Sequence, residues 1–146
     1  MNTTLNPDPL VRFLGKPRRE FTRADLIRYI EEHGIEMINL RYPGADGRLK
    51  TLNFVINDRA YLESILTCGE RVDGSSLFPY IEAGASDLYV VPRYRTAFRN
   101  PFCEIPTVDI LCSYYTKDGT PFDMAPEQTL RHARQELQRT TGLDLH

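Results

Sequence analysis

Asp73, Gly74, Ser75 and Ser76 stand between a short extended piece and the apolar-aromatic stretch 77–80, so one turn carries a carboxylate and two hydroxyls. A carboxylate presented on an anchored loop can draw in a cation and accept its proton. An Asp side chain has an ordinary pKa of about 3.9 and is a feeble base, so binding the cation is its larger contribution. Asp, Gly and Ser are also the common residues of tight turns, and the same segment reads as a structural turn whose carboxylate caps backbone N–H groups. Ser86-Asp87 follows and opens an apolar, β-favouring run at 88–91; Asp87 reads as a brace at the base of the loop.

Other chemistry-bearing residues are scattered. Cys68, Cys103 and Cys112 are odd in number and lack Cys-x-x-Cys spacing, and His33, His132 and His146 are far apart, so free thiols and no bound metal are expected. His33 reads as a cation in the last turn of a helix, where it complements the dipole. Equal treatment of the charges gives 18 basic against 20 acidic residues, a formal charge of −2, which argues against nucleic-acid binding. No run approaches the roughly 18 apolar residues of a membrane span, and no signal-peptide pattern is present, so a cytoplasmic protein is expected.

The elements that must position the turn follow from periodicity. Residues 1–20 contain Pro7, Pro9, Gly15 and Pro17 among polar and basic groups and read as a flexible leader. Thr22 is placed to cap a helix in which Leu26, Ile27 and Ile30 share a face, ending at Gly34. Residues 35–42 and 49–56 read as a hairpin around the five-residue turn 43–47. Asn57 or Asp58 then caps a second helix that buries Tyr61, Leu62, Ile65 and Leu66. Residues 88–91 and 107–115 are strands, the latter with Val108, Ile110, Cys112 and Tyr114 on one face. Residues 117–120 turn the chain, and Pro126 starts a helix with a thin stripe of Leu130, Ala133 and Leu137 that needs a partner. The predicted fold class is α+β, a mixed sheet with a crossing helix and flanking helices.

Arg41-Tyr42, Asp73-Gly74-Ser75-Ser76, Ser86-Asp87, Thr96-Ala97 and Asn100-Pro101-Phe102 together resemble, in order and nearly in spacing, the amino-terminal part of glutamine synthetases. The resemblance runs from about Thr22 to Gly142. It implies that residues 21–120 form a β-grasp domain with its leading helix and that 121–146 begin a truncated catalytic domain. It further implies that Asp73 binds ammonium and helps deprotonate it, that Ser76 lines the same site, and that the loop completes the active site of a neighbouring identical subunit in a ring. Glutamate, ATP and Mg²⁺ (or Mn²⁺) would be handled by the full-length enzyme, and the piece alone is expected to be inactive.

Three departures from the family pattern are Tyr80 where Trp is frequent, Ala85 where Glu is usual, and Met124-Ala125-Pro126-Glu127 in place of Arg-Asp-Pro-Arg. The surroundings of Tyr80 and Ala85 motivate a second reading, a γ-glutamyl amine ligase that takes a larger amine. A third is a non-catalytic interaction module, since a β-grasp fold does not fix function. Phe78, Tyr80, Phe98 and Phe102 divide between core and a neighbouring subunit's surface in a way that sequence leaves open.

Overall fold

The computed structural model describes residues 3–82 and 86–144. The chain opens with a short helix, α1 (Pro9–Leu14), and this corrects the reading of 1–20 as a flexible leader. Pro9 sits in the first turn, Asp8 caps it by accepting the Leu10 N–H, and Gly15 closes it in the left-handed conformation. The breaker residues are therefore helix punctuation. What holds the segment down is apolar: Leu10 and Val11 are buried, and the Phe13 ring meets Tyr29 and His33 edge-on. Arg18 ties back to the buried Asp8 carboxylate at 2.6 Å.

Helix α2 (Arg23–Glu32) starts with a capping box in which Thr22 and Asp25 satisfy each other's backbone N–H, and it buries Leu26, Ile27, Tyr29 and Ile30. Strands β1 (Met37–Pro43) and β2 (Leu49–Val55) form the antiparallel hairpin. Asp58 caps α3 (Arg59–Cys68) through the Tyr61 N–H at 2.7 Å. Leu62, Ile65 and Leu66 are buried, whereas Tyr61, expected inside, lies at the edge of the stripe and is exposed. Then follow β3 (Glu70–Asp73), the single turn α4 (Gly74–Leu77), β4 (Asp87–Pro92), β5 (Phe98–Arg99), β6 (Thr107–Thr116) and α5 (Pro126–Thr141).

Among the described residues the sheet runs β2-β1-β6-β4-β3, with β5 also paired to β6. β1 and β6 are parallel and every other pairing is antiparallel, the mixed sheet expected from the element order. Ile38, Leu40 and Tyr42 of β1, Leu88 and Val90 of β4, and Val108, Ile110, Cys112 and Tyr114 of β6 point to one face, where they pack with the apolar stripes of α2 and α3 in a single core. Alternation along a strand puts the intervening residues on the other face.

That other face holds a polar cluster. The carboxylate of Asp109 is fully buried and accepts from Asn39 at 2.9 Å, from Arg41 at 2.7 Å, and from Asn100 at 3.2 Å. Asn53 in turn donates to the Asn39 side-chain oxygen at 2.6 Å, so the cluster staples β2, β1, β6 and the segment after β5. A buried carboxylate left without such donors would be strongly unfavourable, and here it has a guanidinium and two amides.

Gly69 links α3 to β3 at a close approach. Its φ is +66°, and an added Cβ would lie 1.9 Å from the Val90 carbonyl oxygen. Only glycine brings β3 alongside β4 there.

Candidate functional site

Asp73 is the last residue of β3 and also the cap of α4, facing Asp87 in the β3–β4 register. Strand pairing therefore fixes its backbone while the helical turn fixes the two serines. Its Oδ1 accepts from the Ser75 backbone N–H at 3.0 Å and the Ser75 hydroxyl at 2.7 Å, and its Oδ2 accepts from the Ser76 hydroxyl at 2.7 Å. The Ser75 hydroxyl first, then the Ser76 hydroxyl and the Ser75 N–H, hold the Asp73 carboxyl down at about 2 from an ordinary 3.8, with a smaller contribution from Ser86. The group is ionised at any physiological pH. It is also solvent-facing.

Gly74 is needed at this turn for space. Its N–H donates to the Ser86 carbonyl at 2.7 Å, and an added Cβ would stand 2.9 Å from that same oxygen and 2.9 Å from Leu88 Cδ1. Asp87 faces the guanidinium of Arg71 at 3.6 Å and makes no contact with the Asp73 carboxylate among the described bonds.

The two readings of the turn meet in one geometry. Asp73 does cap backbone, and it does so while presenting negative charge to solvent. Most of its acceptor sites are occupied, so the chemically useful atoms are Oγ of Ser75 and Ser76: each gives its proton to Asp73 and keeps lone pairs directed elsewhere. A small cation with N–H donors can bind those oxygens and gain from the carboxylate behind them. With its pKa near 2, Asp73 is suited to holding such a cation and poorly suited to keeping its proton.

The four aromatics sort cleanly. Phe78 is fully buried against Tyr114 and Phe122, Phe98 is half-buried, and Tyr80 and Phe102 are exposed. The Tyr80 hydroxyl donates to the Met124 carbonyl at 2.9 Å, which joins the residues after the Asp73 turn to the lead-in of α5. Ala85 lies outside the described residues. At the other departure, Glu127 accepts the Tyr114 N–H at 2.9 Å, so the residue in place of the family's Arg pins α5 to β6.

Sequence reasoning missed Asp109 and Glu127. Asp109 interrupts the apolar run 108–111, at the parity that matches Asn39 and Arg41 on the parallel neighbour, and that was the available signal. Cys112 is buried, which pushes its thiol up to about 12 and leaves it unreactive, while Cys68 and Cys103 are exposed and unpaired. Among the described residues no three His, Cys, Asp or Glu side chains converge as they would around a metal ion. One carboxylate whose oxygens are taken by serine donors does not fit a divalent cation. No helix among the described residues is long and apolar enough to cross a membrane.

A mixed sheet with a β1–β2 hairpin, a parallel central pair and helices over one face defines an α+β domain of the β-grasp type. The family model for the glutamine synthetase β-grasp domain matches residues 34–117, and the chain belongs to that family. Glutamine synthetases of Staphylococcus aureus (strain N315) and Staphylococcus epidermidis are 27% and 25% identical over 124 residues, 84% of this chain and 27% of theirs. The chain thus spans about a quarter of the length of these relatives. Among solved structures it resembles Plasmodium falciparum glutamine synthetase, with a TM-score of 0.67 at 16% identity over 82% of this chain and 23% of that one. It also resembles apo GmaS, with a TM-score of 0.68 at 16% identity over 80% and 26%. At these identities the structural likeness concerns the fold.

Proposed function

We propose that this chain acts as the amino-terminal domain of an ATP-dependent glutamate–ammonia ligase of the cytoplasm, in which the Asp73 turn forms part of the ammonium site. The observation that carries the reading is the anchored, ionised and solvent-facing Asp73 carboxylate with the Ser75 and Ser76 hydroxyls in front of it. Amide formation needs an activated carboxylate and an amine with a free lone pair, and at neutral pH ammonia is mostly ammonium. An ionised Asp concentrates that cation, and the serine oxygens accept its N–H groups. Proton loss is then favoured by closure of the site against water rather than by the basicity of Asp73.

In this reading the turn is offered to a catalytic domain in a neighbouring identical subunit of a ring, because its charged side faces away from the domain's own core. Phosphorylation of glutamate by ATP with Mg²⁺ (or Mn²⁺) belongs to that catalytic domain, and the residues described here supply no ligand set for it.

A second reading, ligation of a larger amine, is favoured by one feature. An open cleft of about 590 Å³ adjoins Ser86, the serine that also bonds Asp73, and three carboxylates, Glu82, Asp87 and Asp118, outnumber its one cation, Lys117, beside Tyr80 and Phe122. Acidic and aromatic walls suit an organic ammonium. The test is product formation by the protein joined to its catalytic domain, with ATP, Mg²⁺ and glutamate, offered ammonium beside a panel of primary amines. Preference for ammonium supports the first reading, preference for a larger amine the second, and no turnover with any amine contradicts both.

A further inference from the structure

Beyond the end of β4 opposite the Asp73 turn, three separate segments bring four arginines to one open cleft of about 360 Å³. Arg19 comes from the 3₁₀ turn Arg18–Glu20, Arg93 and Arg95 from the connection after β4, and Arg131 from α5. No acidic side chain lines the cleft. Its nearest carboxylates are Glu127, 4.0 Å from Arg93, and Glu20, 3.8 Å from Arg19. Glu127 is already engaged by the Tyr114 N–H. Among the described residues, the side chains of Arg95 and Arg131 have neither ion pair nor hydrogen bond.

One buried donor supports an anion there. The Nε of Arg93 is buried with no hydrogen-bond partner, and a buried guanidinium nitrogen without an acceptor is costly. Ser113, 5% exposed, lies in the wall of the same cleft. Converging like charges repel one another, so the arrangement gains nothing for folding unless an anion completes it. In a chain whose formal charge is −2, this is a local reversal of sign.

We infer that this cleft binds a multiply charged phosphate anion, either a free polyphosphate or the phosphate chain of a nucleotide. Guanidinium groups match phosphate oxygens with paired N–H donors, and four of them exceed what a single carboxylate neutralises. Ser113 and the Arg93 Nε supply donors at the floor, with the more exposed Arg19, Arg95 and Arg131 at the rim. Tyr94 and Tyr115 stand in the wall, where a base could stack.

The test is isothermal titration of the whole 146-residue chain with tripolyphosphate, with ADP and with citrate, at matched ionic strength in about 50 mM salt, where screening is modest. Saturable tripolyphosphate binding with a Kd at or below about 0.1 mM is expected, weakened at least tenfold in the double variant Arg19→Gln/Arg131→Gln. Both residues are exposed, so that variant keeps the fold, and Arg93→Gln should weaken binding further. Equal affinity for ADP and the inorganic anion would assign recognition to the phosphates alone, and tighter ADP binding would add the tyrosines. Absence of saturable binding, citrate binding as tight as tripolyphosphate, or an equal loss in the distant control Arg48→Gln/Arg59→Gln would overturn the proposal.

Discussion

Two serine hydroxyls decide the behaviour of Asp73. Each donates to one carboxylate oxygen at 2.7 Å, and together with the Ser75 N–H they stabilise the ionised form. The folded pKa of about 2 lies below the ordinary 3.8, so this contribution to stability is fully present above about pH 4 and is lost as pH falls through 2. Removal of one donor by Ser76→Ala should move the carboxyl pKa upward toward 3.8, read by NMR titration of the side-chain carbon. No movement would mean that the hydroxyl is not the donor. The residue types and spacing of this turn were legible in the sequence, because Asp-Gly-Ser-Ser announces both a cap and a polar surface. The simultaneous use of the carboxylate for both was not, since it depends on the serine rotamers and on Ser86 brought in from just before the next strand.

Helices α2 and α3, the β1–β2 hairpin and the buried face of β6 followed from apolar periodicity, which reports local burial directly. The helix α1 did not, because prolines at its flank look the same in a leader and at a helix start, and only Leu10, Val11 and Phe13 docking on α2 distinguishes them. Elements held by non-local polar contacts were equally hidden. Asp109 is the clearest, and truncation by Asp109→Ala would leave the Arg41 and Asn39 donors of β1 and the Asn100 donor after β5 without their acceptor. A loss of roughly 3 to 5 kcal/mol is expected in urea unfolding, the scale of breaking a buried ion pair. A loss under about 1 kcal/mol would show that water replaces the carboxylate without strain. At the α3–β3 junction, Gly69→Ala places a methyl 1.9 Å from a backbone oxygen at positive φ, so a destabilisation of at least about 3 kcal/mol is expected in thermal unfolding. A wild-type melting temperature would contradict that close approach.

The whole molecule is a folded sheet domain with one helix, α5, that stands largely outside the core. Leu130 is 66% exposed, Gln128 is the buried residue of α5, and Glu127 bonds the helix to β6. The thin apolar stripe expected of α5 from the sequence is exposed at Leu130. The division of labour proposed for such a protein is that this domain collects the amine while another supplies the nucleotide and metal chemistry. Charge at position 73 is the hinge of that division. The most direct measurement is ammonium-dependent glutamine formation by the protein joined to its catalytic domain, wild type beside Asp73→Asn, at limiting ammonium. A fall of about 100-fold or more in kcat/KM for ammonium is expected, with the fold unchanged. Unchanged kinetics in Asp73→Asn would contradict it and remove the turn from the amine site.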